Sequence, residues 1–159
     1  MLIFVEGPDG SGKSTLVKQL LDCGAVSYQT SVDRLSNIVQ EYKRYASSNL
    51  DIVFDRSFIT EIVYRMEDGK TTNSFDLFKL MSILRGKCKI IYCNNNFAFQ
   101  DAMERGEDNI TYEYRHKRLS SIYDDLYYIF ENYSNVPIMY YDWRNNNLQD
   151  VINFIKKGE

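Results

Sequence analysis

Short apolar runs alternate along this chain with longer stretches in which apolar residues return every three or four positions. Leu2-Ile3-Phe4-Val5 and Ile52-Val53-Phe54 are unbroken, the pattern of strands covered on both faces. Such runs predict strands at residues 1–6, 25–29, 51–55, 88–93 and 136–141, the second being short and half polar. Helices are predicted at 13–22, 33–47, 57–66, 74–86, 97–104, 110–133 and 147–157. In the longest, Leu119, Ile122, Tyr123, Leu126, Ile129, Phe130 and Tyr133 fall on one face; Leu148, Val151, Ile152 and Ile155 repeat this in the last. Gly24 and Gly86 sit just past helix ends, and Ser74 is suited to capping a helix start. Strands alternating with helices predict an α/β fold of three layers, with a five-stranded parallel sheet, helices on both faces and a small lid. Ligands of such sheets bind beyond the carboxyl ends of the strands, here after residues 5, 29, 55, 93 and 141.

Composition narrows the class. A chain of 159 residues fits one domain, expected to span 1–159, and buries about two-thirds of its unfolded surface. With 44% apolar and 14% aromatic residues it is globular rather than disordered. No apolar run approaches the ~20 residues of a membrane span, and the N-terminal residues already belong to the first strand, so neither a membrane partner nor a cleaved signal is expected. Cys23, Cys88 and Cys93 form no metal spacing; an odd, unpatterned set suits a cytoplasmic protein, with burial the expected fate of each. A net charge of −3 argues against a nucleic-acid polymer as partner. A small anionic substrate needs only local positive charge.

That local charge has an evident place. Gly7-Pro8-Asp9-Gly10-Ser11-Gly12-Lys13-Ser14, with Thr15 behind it, lies between the first strand and the first helix and fits the phosphate-loop pattern G-x-x-x-x-G-K-[ST]. Gly7, Gly10 and Gly12 let the backbone wrap closely, so that amides of Ser11, Lys13, Ser14 and Thr15 and the helix dipole meet a phosphate. Lys13 is expected on the outer phosphates and the Ser14 hydroxyl on Mg²⁺. The chain is therefore expected to bind a nucleoside triphosphate.

Three further groups carry candidate chemistry. Asp55-Arg56-Ser57 ends the third predicted strand, a position for a second Mg²⁺-directed acid beside an arginine able to grip another phosphate. Asp9, inside the loop, is placed to accept a hydrogen bond from a substrate hydroxyl, since a carboxylate is costly beside phosphates. Arg105-Gly106-Glu107-Asp108, followed by Arg115, Lys117 and Arg118, reads as a mobile flap over about 97–118 whose cations close on a transferring phosphoryl group. His116, the sole histidine, reads as a surface residue. Tyr112, Tyr114, Phe58 and Tyr64 are candidates to stack on a base, although most of the 13 tyrosines must be packing residues. Asp142-Trp143-Arg144-Asn145 reads equally as the border of an adenine site or a surface turn.

Phe4-Val5-Glu6-Gly7-Pro8-Asp9-Gly10-Ser11-Gly12-Lys13-Ser14-Thr15 closely resembles the N-terminus of thymidylate kinases. Asp55-Arg56 resembles their second motif, and Arg105 to Asp108 with Glu113 and Arg115 resembles the lid of the subclass that carries arginine there and not in the phosphate loop. The resemblance implies transfer of the γ-phosphoryl of ATP to a deoxynucleoside monophosphate, dTMP foremost. It gives Lys13 and Ser14 to ATP and Mg²⁺, Asp9 to the deoxyribose hydroxyl, Asp55 to Mg²⁺, Arg56 and Tyr112 to the acceptor, and Arg105 or Arg115 to the moving phosphoryl group. It also implies a homodimer. Two departures stand out. Ser57 makes an acid-Arg-Ser triplet typical of deoxynucleoside kinases, and the stretch from 15 to 54 is short for the family, leaving Arg34, Tyr42, Arg44 and Tyr45 without assigned places. The alternatives are thus a deoxynucleoside kinase and a nucleotide-binding sensor without activity.

Overall fold

The computed structural model describes residues 1–30, 38–70, 74–94, 100, 103–106, 113–133 and 135–157. Five parallel strands are present: β1 (Leu2–Glu6), β2 (Tyr28–Thr30), β3 (Ile52–Asp55), β4 (Cys88–Cys93) and β5 (Ile138–Tyr141), in the order β2-β3-β1-β4-β5. β1 is central, with Val5 opposite Asp55 and Glu6 opposite Tyr92. The carboxyl ends of all five strands therefore share one edge of the sheet. The described helices are α1 (Lys13–Asp22), α2 (Ile38–Ala46), α3 (Phe58–Glu67), α4 (Ser74–Leu84), α5 (Glu113–Tyr133) and α6 (Leu148–Lys156).

Period-two alternation splits the core into two layers. Leu2 and Phe4 of β1 point to one face, where they join Phe54, Ile90 and Tyr92 under Tyr42, Phe58, Val63, Leu84, Tyr123 and Phe130. Ile3 and Val5 point to the other, with Val53, Ile91, Leu16, Leu20, Val151 and Ile155. α2 to α5 thus cover one face, while α1 and α6 cover the other. On the first face Phe4 meets Tyr42, Phe54 and Phe58 edge to face at centroid distances of 5.6, 5.2 and 5.8 Å, an arrangement aromatic rings favour.

Several expectations are corrected. The second strand lies at 28–30 rather than 25–29, because Ala25 closes α1 by donating to Leu20 O and Ser27 donates to Asp51 O. Within α5 the buried face runs through Leu119, Tyr123, Leu126, Tyr127 and Phe130, whereas Ile129 is exposed. Phe58, a candidate base contact by sequence, is a core residue, and so is Tyr42, which had no assigned place; the Tyr42 hydroxyl accepts from Phe58 N at 3.2 Å. Cys88 and Cys93 are buried at opposite ends of β4, but Cys23 is exposed. Among the described residues, no helix is long and apolar enough to cross a membrane. The helix expected at 97–104 falls mostly outside the described residues, and Arg34, Glu107, Asp108 and Tyr112 fall wholly outside them.

Candidate active site

The chain leaves β1 through Gly7, whose φ of +139° suits glycine; a Cβ there would lie 2.0 Å from the carbonyl oxygen of Cys93. The loop returns at Gly12, which caps α1 without any side-chain hydrogen bond, and the first turn of α1 carries no acidic residue. Its backbone N–H groups therefore face the cavity with the positive end of the helix dipole behind them. Lys13 Nζ bridges the loop, donating to Pro8 O at 2.6 Å and to Ser11 Oγ at 3.4 Å, while Ser11 Oγ donates to Pro8 O at 2.7 Å. Burial, reinforced by Arg56, lowers the Lys13 ammonium to about 8. Ser14 and Thr15 are exposed at the rim.

A cavity of about 290 Å³ opens over this loop, lined by Asp9, Gly10, Lys13, Ser14, Arg56 and Arg105 among others. The two arginines come from distant parts of the chain. Arg56 follows β3 with φ +71°, a left-handed conformation uncommon for a residue with a Cβ, and its amide donates to Val5 O at 3.1 Å. Ser57 then starts α3, accepting from Ile59 N at 3.2 Å. The half-buried Arg56 guanidinium forms an ion pair with the Asp9 carboxylate. Tyr64 completes a triangle: its hydroxyl accepts from Arg56 Nη1 at 3.4 Å and donates to Asp9 Oδ2 at 3.3 Å. Burial alone would raise the Asp9 carboxyl, but Arg56 and Lys13 overcome it and hold it below the usual carboxylate range. Tyr64, one of the candidate base-stacking rings by sequence, is tied to Asp9 and Arg56 by bonds that no local sequence pattern announces.

Arg115 lies elsewhere than over the loop. It bonds Glu67 at the end of α3 (Nη2 at 2.9 Å, Nε at 3.1 Å), and its guanidinium stands 5.9 Å from the Tyr64 ring centre. The Arg56 guanidinium stands 6.0 Å from the same ring. Residues 113–118 of the expected flap are thus the first turns of α5, fastened to α3. Glu113 and Lys117 pair with each other at 2.6 Å on the exposed side, and Arg118 is exposed. Tyr114 is 74% exposed. His116 overturns its surface reading: it is buried, with Nε2 3.1 Å from the main-chain oxygen of Asp9.

A second cavity, of about 520 Å³, continues from the first and is lined by Thr15, Gln19, Arg105, Trp143, Asn146 and Asn147 among others. Trp143 covers the start of α1; a Cβ on Gly12 would lie 3.3 Å from its ring. Arg144 stacks on the indole at 4.9 Å. Asp142 and Asn145 hold the turn instead, with Asp142 Oδ1 accepting from Arg144 N at 3.0 Å and Oδ2 from Asn145 Nδ2 at 2.6 Å. Asp142 and Asn145 thus belong to a turn, while Trp143 lines the second cavity. Arg105 lines both cavities.

Beneath the loop, Glu6 is fully buried. Its Oε2 accepts from Thr60 Oγ1 at 2.5 Å, and Thr60 meets the Tyr123 hydroxyl at 3.0 Å. Burial raises the Glu6 carboxyl, partly offset by Ser57 and Thr60. Among the described residues no cluster of three metal-ligating side chains exists. The residues expected on Mg²⁺ are the Ser14 hydroxyl, exposed at the rim of the loop, and the Asp55 carboxylate, half-buried at the end of β3. That donor set suits Mg²⁺, which keeps several waters and takes its remaining ligands from phosphates.

A scan against protein-family models and a search of the curated proteins both find no match. Solved structures do match. YorR of Bacillus subtilis, in complex with phosphorylated GDP, shares 16% identity and covers 98% of this chain and 93% of its own, with a TM-score of 0.73. Deoxyadenosine kinase of M. mycoides, with dCMP and a flexible dCDP bound, shares 15% identity over 98% of this chain and 96% of its own, at a TM-score of 0.64. The same kinase with bound dATP gives 17% identity, 96% and 97% coverage, and 0.62. The chain has the α/β fold of P-loop kinases.

Proposed function

We propose that this protein is an ATP-dependent phosphotransferase whose acceptor is a nucleoside monophosphate, dTMP being the first candidate. One observation carries the reading: Lys13 from the phosphate loop and Arg56 from the end of β3 line the same cavity, with Arg56 aimed by Asp9 and Tyr64. The likeness to a deoxyadenosine kinase and to a protein holding phosphorylated GDP supports a nucleotide on each side of the transfer. In this reading the triphosphate lies on the loop, with its base in the larger cavity beside Trp143, and the acceptor enters from the Arg56 and Tyr64 side. An acceptor phosphate oxygen attacks the γ-phosphorus as its bond to the β,γ-bridging oxygen breaks, releasing ADP. Such transfers need little covalent help, so positioning and charge neutralisation supply most of the rate. Lys13 and Arg105 neutralise the donor, Arg56 offsets the repulsion of the incoming anion, and Asp9 meets a sugar hydroxyl. Ser14 and Asp55 are the residues to hold Mg²⁺, which when bound neutralises phosphate charge. Arg115, bonded to Glu67 behind Tyr64, is assigned to the acceptor side rather than to the moving group.

A second reading, phosphorylation of a deoxynucleoside hydroxyl, is favoured by the Asp55-Arg56-Ser57 triplet, in which Ser57 caps α3. A coupled assay with ATP across nucleoside monophosphates and free nucleosides separates the two. Turnover of dTMP or another monophosphate with thymidine inert is expected. Preference for nucleosides would install the second reading, and ATP binding with no turnover would leave a sensor.

A further inference from the structure

His116 is 8% exposed on the first turns of α5, and its Nε2 sits 3.1 Å from the Asp9 carbonyl oxygen. A carbonyl oxygen only accepts, so Nε2 carries the hydrogen and donates it. Asp9 is thereby held twice, by its main chain from α5 and by its carboxylate from Arg56 and Tyr64. Arg115, the adjacent residue, fastens the same turn of α5 to Glu67 of α3. The loop needs such a hold. Gly10 has a positive φ, and the Asp9–Gly10 peptide, with a glycine on one side, turns over at little cost unless something holds it. In a planar trans peptide the carbonyl and the next N–H point in opposite directions. Fixing the Asp9 carbonyl toward α5 thus fixes the direction of the Gly10 amide, and Gly10 lines the phosphate cavity.

We propose that His116 is a positioning residue of the phosphate loop, whose Nε2–H locks the Asp9 peptide and so presets both the loop amides and the Asp9 carboxylate for nucleotide. This rests on the reading of the loop as the triphosphate site. Asp9 and Lys13 are the charged groups facing the ring from the loop and α1. On its own helix, Glu113 and Lys117 pair with each other, and Arg115 is turned to Glu67 and Asp68. Burial, with Lys13 adding to it and Asp9 opposing, holds the imidazole below its ordinary value, in keeping with a neutral, singly protonated ring.

Because the chain has one histidine, its ring nitrogens give unambiguous NMR signals in the full-length protein. The expected result is the neutral Nε2–H tautomer at pH 7.5, a titration midpoint below about 6.5, and displacement of the signals by ATP. An Nδ1–H tautomer, or a ring titrating like a free histidine and indifferent to ATP, overturns the proposal. His116→Phe, which keeps the ring volume without the donor, should weaken ATP binding about tenfold at temperatures where the variant is still folded. His116→Gln, which keeps a side-chain N–H, should recover most of that. Should the Phe variant fail to fold, the tautomer and midpoint of the parent protein decide. Parent protein that binds no ATP sinks the reading of the loop and this proposal with it; parent binding with indifferent variants sinks this proposal alone.

Discussion

Lys13 is a buried ammonium whose charge has to survive into the working pH range. Burial, with Arg56 adding to it, depresses its pKa to about 8, so the charge is lost as pH rises through that value. ATP affinity measured by calorimetry should hold steady from pH 6.5 to 7.5 and fall above about 8. A flat profile to pH 9.5 would mean that Lys13 does not meet the phosphates. Lys13→Ala should remove most activity and this alkaline limb together, since a lost cation at developing phosphate charge costs about 3–4 kcal/mol of barrier. Glu6 titrates with the opposite sign. Its folded pKa is raised by burial, so its favourable contribution is complete below the unfolded value near 4.5 and is lost as pH rises through the folded value. Glu6→Gln should therefore raise the thermal midpoint at pH 8 and do nothing at pH 4; a loss of stability at pH 8 would show that the ionised carboxylate is the form the fold requires. None of this was readable from the residues around position 6, because Thr60 and Tyr123 reach it only through the fold. His116 was hidden for a stronger reason: its partner is a main-chain oxygen, and every residue type offers one.

The elements themselves were largely written in the hydrophobic pattern. Four strands fall within the apolar runs that predicted them, the second being displaced to 28–30, and Asn147, the cap of α6, accepts from Asp150 N while Asp150 accepts from Asn147 N, a local signature. Where the pattern failed, a side chain was serving a distant element. Lys89 is the second residue of β4, on the α6 face and 5% exposed, and its ammonium donates to Phe154 O, Ile155 O and Lys157 O at 2.8, 2.5 and 2.7 Å. A sheet lysine thus satisfies carbonyls at the C-terminal end of α6, where a cation also suits the helix dipole. Lys89→Met keeps the stem and removes the donors; it should cost about 1–3 kcal/mol, seen in urea unfolding, and increase amide exchange in the last turn of α6. Unchanged stability would mean that water serves those carbonyls equally well. The catalytic constants should stay as they are, because Lys89 lies away from the loop.

At the scale of the whole molecule, the parallel sheet brings the ends of β1 and β3 side by side, and that adjacency makes one site of two motifs far apart in sequence. The phosphate loop was legible outright, since its chemistry is local. Arg56 was legible by position, being next after a strand. Its partners were not: the Asp9 pair spans the gap between two crossovers, and Tyr64 enters from the second turn of α3. The different settings of Arg105, which lines both cavities, and Arg115, which bonds Glu67 of α3, likewise depend on the fold and not on the residues beside them. If two phosphate-bearing molecules meet between the loop and Arg56, one ligand carrying both should bind across them. A linked ligand in which adenosine and deoxythymidine are joined through five phosphates tests it most directly, by calorimetry on the parent protein, Lys13→Ala and Arg56→Ala. The account predicts binding at least about 100-fold tighter than ATP, with Arg56→Ala forfeiting most of that advantage while leaving ATP affinity within about twofold. A linked ligand that binds no better than ATP, to parent and Arg56→Ala alike, would contradict it.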